Sequence, residues 1–237
     1  HWRYRPNEPI QICSAQTIEK RGFFPGCKFL IVDEAHAVRK ATADLIKGVQ
    51  SLRVIGLTAT PFTKGLKDLY SNIVNVATTD ELTDAGYLVP MKVYAAKAID
   101  MAGAKVVAGE WSDKEVETRG LQIVGDIVSH WRKLGRGKPT IVFATNIAHS
   151  KHIVAQFVAA GIAAEHIDYL TPEEDRIAIL DRVRSGQTTI ISNSAMLAEG
   201  LDIPQLEVMI LARPTKSLIR YIQQAGRILR PAEGKAN

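Results

Sequence analysis

Short apolar runs alternate with amphipathic stretches along the chain. The β-branched runs predict strands at Phe29–Val32, Arg53–Leu57, Met91–Ala96, Thr140–Ala144, Ala164–Ile167, Thr188–Ser192 and Val208–Ala212. The amphipathic stretches predict helices at Val38–Gln50, Ile147–Ala160, Pro172–Ser185 (with Thr171 as N-cap) and Lys216–Leu229. Strands that alternate with helices are typical of a parallel sheet whose faces are covered by helices, so the pattern predicts an α/β fold.

The pattern changes between residues 78 and 90. A helix-like stretch, TTDELTDAG, is followed by YLVP and then by a new apolar run. We therefore place a domain boundary near Leu88–Val89, which gives a first domain over 1–88 and a second over 89–237. Residues 102–120 are rich in Gly, Ala and charge, and they predict an irregular connection before the next helix.

Composition narrows the class of protein. The chain has 237 residues, a net charge of +5 and a pI of about 9.2, a basic bias that is compatible with a polyanionic partner. It has no apolar run of the roughly 20 residues that span a bilayer, and its polar N-terminus does not resemble a signal peptide. Two cysteines, Cys13 and Cys27, form no metal-binding or disulfide pattern. We expect a cytoplasmic protein with no membrane partner.

The first chemically suggestive segment is FLIVDEAH, from Phe29 to His36. A buried strand there delivers Asp33 and Glu34 to the edge of a sheet, where such acids can hold Mg²⁺ and activate water. Taken alone, the segment also fits an ordinary helix start, because carboxylates favour the positive end of the helix dipole.

Three further segments punctuate the strand and helix alternation: GLTATP at 56–61, AEGLDIP at 198–204 and QQAGRILR at 223–230. The first two, read singly, are ordinary turns and loops. The third predicts a helix on which Gln223, Arg227 and Arg230 fall within roughly 60° of one another, opposite an apolar stripe. Such a face is either a solvated basic surface or a binding surface for polyphosphate.

Together with IVFATN at 141–146, these segments resemble, in order and spacing, the motifs of superfamily 2 DExH-type helicases and translocases. DEAH is similar to motif II, TAT to motif III, IVFATN to motif IV, AEGLDIP to motif V and QQAGRILR to motif VI. The branch that holds the RadD-like helicases and the motor (Res) subunits of restriction enzymes is the most similar. The resemblance covers essentially the whole chain and implies two RecA-like domains of the P-loop NTPase helicase fold, the first incomplete.

The resemblance also implies roles for the first domain, with ATP and Mg²⁺ as cofactors. Asp33 would hold Mg²⁺ through water, and Glu34 would orient and deprotonate the attacking water. His36 would link the nucleotide site to motif III. The motif III residues that couple hydrolysis to domain movement would be Thr58, Ala59 and Thr60.

In the second domain, the resemblance assigns Gly200 and Asp202 to the nucleotide cleft, with Asp202 near the ribose. Gln223 would lie by the γ-phosphate. Arg227 and Arg230 would act as arginine fingers across the cleft between the domains, and closure around ATP would then drive movement.

The expected partner is nucleic acid, with DNA favoured over RNA, and a larger complex could form through regions outside this chain. The candidate nucleic-acid contacts are Gln16, Thr17, Thr145 and Ser192. They are small or polar residues at positions where the resemblance implies contacts with backbone phosphates.

One element of the family pattern is missing from the chain. A P-loop, GxxxxGK[ST], should precede the DEAH segment, but the 32 residues before Asp33 do not contain it. We expect this motif to lie upstream in a longer parent, and we expect the present chain to bind ATP poorly and to hydrolyse it negligibly. Two rival hypotheses remain: a motor subunit that translocates duplex DNA, and a non-hydrolytic scaffold that binds nucleic acid.

Overall fold

The computed structural model describes residues 8–22, 24, 26–94, 101–107, 110–120, 127–194 and 202–235. The chain divides into two compact units, one from His1 to Val76 and the other from Ala77 to Asn237. This division lies earlier in the chain than the boundary expected at Leu88–Val89. The residues that follow Val76 belong to the second unit. Val89 is hydrogen-bonded within that unit, because its N–H donates to the Leu229 carbonyl at 2.8 Å.

The first unit is built around two parallel strands. Its elements are helix α1 (Ala15–Arg21), strand β1 (Phe29–Val32), helix α2 (Lys40–Gly48), strand β2 (Arg53–Gly56) and a 3₁₀ turn (Leu66–Asp68). Strand β1 has the predicted limits, and it pairs with β2 from Phe29 opposite Arg53 to Val32 opposite Gly56. Helix α2 begins two residues later than predicted, because the DEAH residues form turns whose hydrogen bonds run from Ala37 to Glu34 and from Val38 to His36.

The second unit has a more extensive set of elements. They are α3 (Thr79–Asp84), β3 (Val106–Val107), β4 (Glu110–Trp111), α4 (Asp113–Gly120), α5 (Ile127–Leu134), β5 (Thr140–Ala144), α6 (Ile147–Ala159), β6 (Ala164–Ile167), α7 (Glu173–Arg184), β7 (Ile190–Ser194), β8 (Val208–Leu211) and α8 (Leu218–Ala225). The larger sheet has the order β6-β7-β5-β8, and all its pairs are parallel. The predicted α/β fold is confirmed.

Several other sequence-based limits were wrong. The strand predicted at Thr188–Ser192 runs from Ile190 to Ser194. Residues 91–94 form no strand, so the strand predicted at Met91–Ala96 is not seen there, and positions 95 and 96 lie outside the described residues. Helix α7 begins at Glu173 with Pro172 as its N-cap, and the Thr171 hydroxyl instead donates to the Asp168 carboxylate at 3.2 Å. Helix α8 ends at Ala225, four residues before the predicted end at Leu229.

The core of the second unit covers both faces of strand β5, whose five residues are all buried. Ile141 and Phe143 pack with residues of α7 and β7 on one face, and Val142 and Ala144 pack with α5 and α6 on the other. Successive side chains of a strand point to opposite faces, so a sheet that is covered twice needs an unbroken apolar run. The sequence TIVFA meets that need.

One polar contact fixes α5 against this sheet. The buried Trp131 indole N–H donates to the Thr140 hydroxyl at 2.7 Å, and its ring meets Phe157 edge-on with centroids 5.5 Å apart. The hydrogen bond satisfies the one polar atom of the indole, so the large ring can be buried without an unpaired donor. In the part of the chain that the structure describes, no helix is long and apolar enough to cross a membrane.

Candidate nucleotide site

The acid pair lies on a tight turn directly after β1. Asp33 and Glu34 are both exposed, and the Glu34 N–H donates to Asp33 Oδ1 at 2.9 Å. Backbone hydrogen bonds tie the turn to the end of β2, from Leu57 to Val32 at 2.8 Å and from Ala35 to Leu57 at 2.9 Å. Glu34 has a φ of 49°, the left-handed conformation that costs energy for a residue with a Cβ. The fold therefore holds this carboxylate outward at some conformational cost.

His36 joins the DEAH turn to the TAT segment. Its Nδ1 lies 3.2 Å from the Thr58 hydroxyl and 3.2 Å from the Glu34 carboxylate, while the ring is largely buried. The Thr58 hydroxyl in turn accepts the N–H of the fully buried Thr60 at 3.0 Å. The structure thus places the two segments in contact, 22 positions apart in sequence, through one imidazole.

Close packing beneath the turn keeps this contact in place. Gly56 ends β2, and a Cβ added there would lie 2.7 Å from the Tyr70 ring and 2.8 Å from the Ala35 Cβ. Glycine is therefore required by close approach rather than by its backbone angles. Burial raises the pKa of the Tyr70 phenol above its usual value.

The chemistry of the acid turn suits a hard cation. Exposed carboxylate oxygens are the ligands that Mg²⁺ prefers, and it commonly binds through one or two of them while keeping most of its water. The described residues contain no group of three or more potential metal ligands. Asp33 could serve as the single protein ligand of a Mg²⁺ ion whose other ligands are water and substrate phosphate.

In the second unit, α8 carries part of the motif VI segment. Ser217 caps the helix by accepting the Arg220 N–H at 3.2 Å. After Ala225 the chain continues in tighter turns, with hydrogen bonds from Arg227 to Gln224 at 3.1 Å and from Ile228 to Ala225 at 3.0 Å. Of the three residues predicted to share one helical face, only Gln223 lies in the α-helix, whereas Arg227 and Arg230 follow its end. All three side chains are partly exposed.

Two predicted cofactor residues of the second unit bind each other. Arg230 donates from Nη1 to the Asp202 carboxylate, although the residues are 28 positions apart. Gly200, predicted to lie in the same segment as Asp202, falls outside the described residues. The structure thus joins motif V to motif VI through one carboxylate and one guanidinium.

A lysine that the sequence did not single out ties the same two segments together. Lys235 donates from Nζ to the carbonyls of Pro204 at 3.0 Å, Leu206 at 2.7 Å and Arg230 at 2.8 Å. Burial lowers its pKa to about 8. Nothing in the sequence near Lys235 indicates these partners, because two of them lie about 30 residues away.

The start of α8 is held by another residue that sequence reasoning missed, Glu110 of β4. Its carboxylate accepts the Thr215 hydroxyl at 2.7 Å and the N–H groups of Lys216 and Ser217 at 3.1 and 3.0 Å. Burial opposes ionisation, but these hydrogen bonds and nearby Arg220 outweigh it, so the pKa of Glu110 lies below its usual value. The partners are more than 100 positions apart, so no local pattern could reveal them.

Two of the predicted nucleic-acid contacts have buried side chains, which leaves only their backbone groups for such a contact, and their role stays a prediction. Ser192 is fully buried, and its hydroxyl lies 2.7 Å from the Ser150 hydroxyl. Thr145 is buried as well, with its hydroxyl 3.3 Å from the His149 ring. Gln16 and Thr17 lie on α1, where Gln16 is exposed and Thr17 is half-buried, so their contact with nucleic acid stays a prediction.

Ser192 belongs to a network of polar side chains that links α6, β7 and the end of β6. Ser150 contacts His166 Nδ1 at 2.7 Å, and His166 Nε2 contacts Asp168 at 2.9 Å. The same carboxylate accepts the Leu170 N–H at 2.8 Å. Burial raises the pKa of Asp168, but these hydrogen bonds outweigh it and hold the pKa below its usual value. These hydrogen bonds fix the loop that follows β6.

Comparison with known proteins finds a helicase domain in the second unit. The model of the helicase conserved C-terminal domain matches residues 121–232, which include α8 and the Asp202–Arg230 pair. This match supports a fragment of a superfamily 2 helicase. The matched domain falls in the second unit, whereas the DEAH turn and the His36–Thr58 contact fall in the first.

Individual relatives agree with this assignment. The chain is 32% identical over 206 residues to a 51.5 kDa protein of a Lactococcus phage, covering 85% of this chain and 46% of that protein. It is 25% identical over 221 residues to a putative ATP-dependent helicase, IRC3, of Saccharomyces cerevisiae, covering 85% of this chain and 32% of that protein. The chain therefore spans less than half the length of either relative.

A solved structure shares the fold. A fragment of a putative HsdR subunit of a type I restriction enzyme from Vibrio vulnificus superposes with a TM-score of 0.63 at 19% identity. The match covers 87% of this chain and 41% of that one. At this level of identity the likeness supports the RecA-like helicase fold and nothing finer.

Proposed function

We propose that this chain is part of an ATP-driven motor that moves along nucleic acid or separates its strands. The observation that carries the proposal is the His36 bridge, which joins the exposed acid turn to Thr58. A catalytic carboxylate that shares an imidazole with a second segment can pass a change in its own surroundings to that segment. The match of residues 121–232 to a helicase C-terminal domain supports such coupling, because a helicase must link hydrolysis to movement.

The residues of the first unit divide the chemistry among them. The Glu34 carboxylate orients the attacking water and accepts its proton, and Asp33 supplies the oxygen that would hold Mg²⁺. Bound Mg²⁺ supplies positive charge that polarises the phosphate oxygens. His36 positions Glu34 and passes its state to Thr58, from which it reaches Ala59 and the buried Thr60.

The residues of the second unit supply positive charge and substrate selection. Arg227 and Arg230 stabilise the charge that develops on the transferred phosphate, and Gln223 donates to it. Asp202 accepts hydrogen bonds from the ribose hydroxyls. Because the chain contains no P-loop sequence, we propose that on its own it binds ATP weakly and turns it over negligibly.

The nucleic-acid partner that we propose is DNA, held mainly through its phosphates. The basic balance of the chain, +5 overall, supports a polyanionic partner of either kind. Of the four predicted contacts, only Gln16 is an exposed side chain, and Thr17 beside it is half-buried. DNA and RNA oligonucleotides of the same sequence and length, compared by fluorescence anisotropy, separate the two partners directly.

A second candidate function is a nucleic-acid-binding scaffold that hydrolyses nothing. The absence of a P-loop from all 237 residues favours it. The scaffold hypothesis predicts no role for Glu34 or Arg227, whereas the motor hypothesis requires both.

The deciding experiment measures ATP turnover and strand displacement by the full-length parent, with Glu34→Gln and Arg227→Gln variants. A motor loses about two to four orders of magnitude in turnover in either variant while still binding nucleic acid. Turnover that these variants leave unchanged, or a parent with no ATP turnover at all, rejects the motor. Displacement of a triplex-forming strand without separation of a duplex identifies a duplex translocase.

A further inference from the structure

We infer that the Asp202 carboxylate competes with bound phosphate for the Arg230 guanidinium and so selects nucleotides over phosphates that carry no ribose. The inference rests on the proposed function, because it takes Asp202 as the ribose acceptor and Arg230 as a phosphate ligand. It adds a contact between the two residues, which makes Asp202 a specificity-determining residue as well as a ligand.

The first observation is the ion pair itself. Arg230 donates from Nη1 to Asp202 Oδ1, so each residue already has an opposite charge as its partner. The Asp202 side chain is 72% exposed and that of Arg230 is 40% exposed. A pair that is open to water to this extent can separate by side-chain rotation alone, without loss of core packing.

The second observation is that the backbone around both residues is anchored separately. Lys235 Nζ donates to the carbonyl of Arg230 at 2.8 Å and to that of Pro204, two residues after Asp202, at 3.0 Å. Arg184 donates to the Asp202 carbonyl at 3.4 Å. The two side chains therefore stay within reach of each other whether or not their ion pair is closed.

The consequence differs between two kinds of phosphate ligand. When a phosphate group binds the Arg230 guanidinium, Asp202 loses its ion pair with Arg230. A ribose hydroxyl can then donate to the Asp202 carboxylate and replace part of that interaction, but inorganic tripolyphosphate has no group that can do so. Exposed ion pairs of this kind change an equilibrium by about two- to fivefold, so the expected preference is of that size.

The experiment compares the affinity of the 237-residue chain for two probes, tripolyphosphate and ATP, both with Mg²⁺. Titrations into the millimolar range, followed through the arginine Nε–H signals in ¹⁵N NMR spectra, report binding even when it is weak. In the Asp202→Ala variant we expect tripolyphosphate to bind about two- to fivefold more tightly, and ATP to gain less than tripolyphosphate or to bind more weakly. The preference for ATP over tripolyphosphate then decreases.

The matched control is Glu233→Ala, which removes an exposed carboxylate three residues after Arg230 and changes the net charge equally. It should leave the ratio of the two affinities unchanged. If Glu233→Ala and Asp202→Ala shift the ratio alike, the effect is one of general charge and the inference fails. It also fails if the Asp202→Ala effect persists in an Arg230→Gln background, where no pair exists to break.

The failure of the inference and the failure of the proposed function give different results. If Arg230→Gln weakens both probes while Asp202→Ala changes neither, only the selection by Asp202 is wrong. If the chain binds neither probe, or if Arg227→Gln and Arg230→Gln leave binding unchanged, the phosphate-binding role proposed for these arginines is wrong and the inference falls with it.

Discussion

The two parallel sheets of this molecule start from similar sequences and reach different degrees of burial. In the second unit, every residue of β5 and β7 is buried, and Ile141 has no exposed surface. In the first unit, β1 and β2 alternate between exposed and half-buried residues, and Ile31 remains 58% exposed. An apolar strand therefore shows where a sheet forms, but the elements packed on each face decide how much that sheet contributes to stability.

The difference matters for function because each unit carries part of the chemistry. The acid turn and the His36 bridge depend on the less buried sheet, and the Asp202–Arg230 pair lies in the well-packed unit. We expect the first unit to open more readily to solvent. Local opening free energies follow local packing, so the amides of β1 and β2 should exchange faster than those of β5 and β7.

The largest expected difference comes from truncating one phenylalanine in each unit. Phe157 is fully buried against Trp131, and its change to alanine should cost about 3–5 kcal/mol. Phe29 is 51% exposed on β1, so Phe29→Ala should cost about 1 kcal/mol or less. Urea unfolding, with each unit followed by NMR signals of its own strands, measures both. Equal costs would show that the β1 face is covered in solution.

A smaller effect tests whether the first unit has any tightly packed region. Gly56→Ala places a Cβ 2.7–2.8 Å from Tyr70 and Ala35, which should cost about 1–3 kcal/mol and disturb the acid turn. The matched control is Gly48→Ala at the end of α2, where no atom lies within 4 Å of the new Cβ. It should be neutral or stabilising by up to about 1 kcal/mol. Similar outcomes for both variants would mean that the packing under the turn is loose.

The smallest expected effect is a loss of stability of the second unit in acid. Hydrogen bonds from Arg182, which outweigh burial, hold the pKa of Glu165 below its usual value. The pKa of Asp168 is also below its usual value, because its hydrogen bonds outweigh the effect of burial. The unfolded chain therefore takes up protons first as pH falls. The stabilisation is complete above the ordinary carboxyl pKa of about 4 and is lost as pH falls through the folded values.

Thermal unfolding measured between pH 7 and pH 3 checks this expectation. The Glu165→Gln variant should start less stable at neutral pH and should then lose less on acidification than the wild type. A variant that loses as much as the wild type would show that Glu165 does not contribute to the acid sensitivity.

Strand positions could be predicted from the sequence where apolar runs are short and sharply bounded. The limits of β1, β5 and β6 agree with prediction, and for β1 and β5 the reason is a run of β-branched and aromatic residues that is followed at once by polar ones. Residues 91–94 have the same character but pair with no strand, and a sequence pattern cannot report the presence of a partner.

The site was harder to predict, because its contacts join residues that are distant in sequence. The sequence correctly placed a strand before the acid pair, but its prediction that this strand is buried was wrong, because Phe29 and Ile31 are more than half exposed. Nor could it reveal that Ser192 faces Ser150, 42 positions away, instead of solvent. Helix α8 was predicted too long because hydrophobic spacing continues past Gly226, whereas the backbone changes to shorter-range hydrogen bonds. Glu110 and Lys235 were missed because most of their partners are backbone groups of residues far away in sequence, which no sequence pattern reports.

The left-handed backbone at Glu34 has a consequence for how this protein could be stabilised. Asparagine adopts that conformation more readily than glutamate, so Glu34→Asn should relieve strain in the folded state. The same change removes the carboxylate on which water activation would depend. A selection for thermal stability alone would therefore tend to discard the catalytic acid, and retention of glutamate here would indicate that selection has favoured activity over stability.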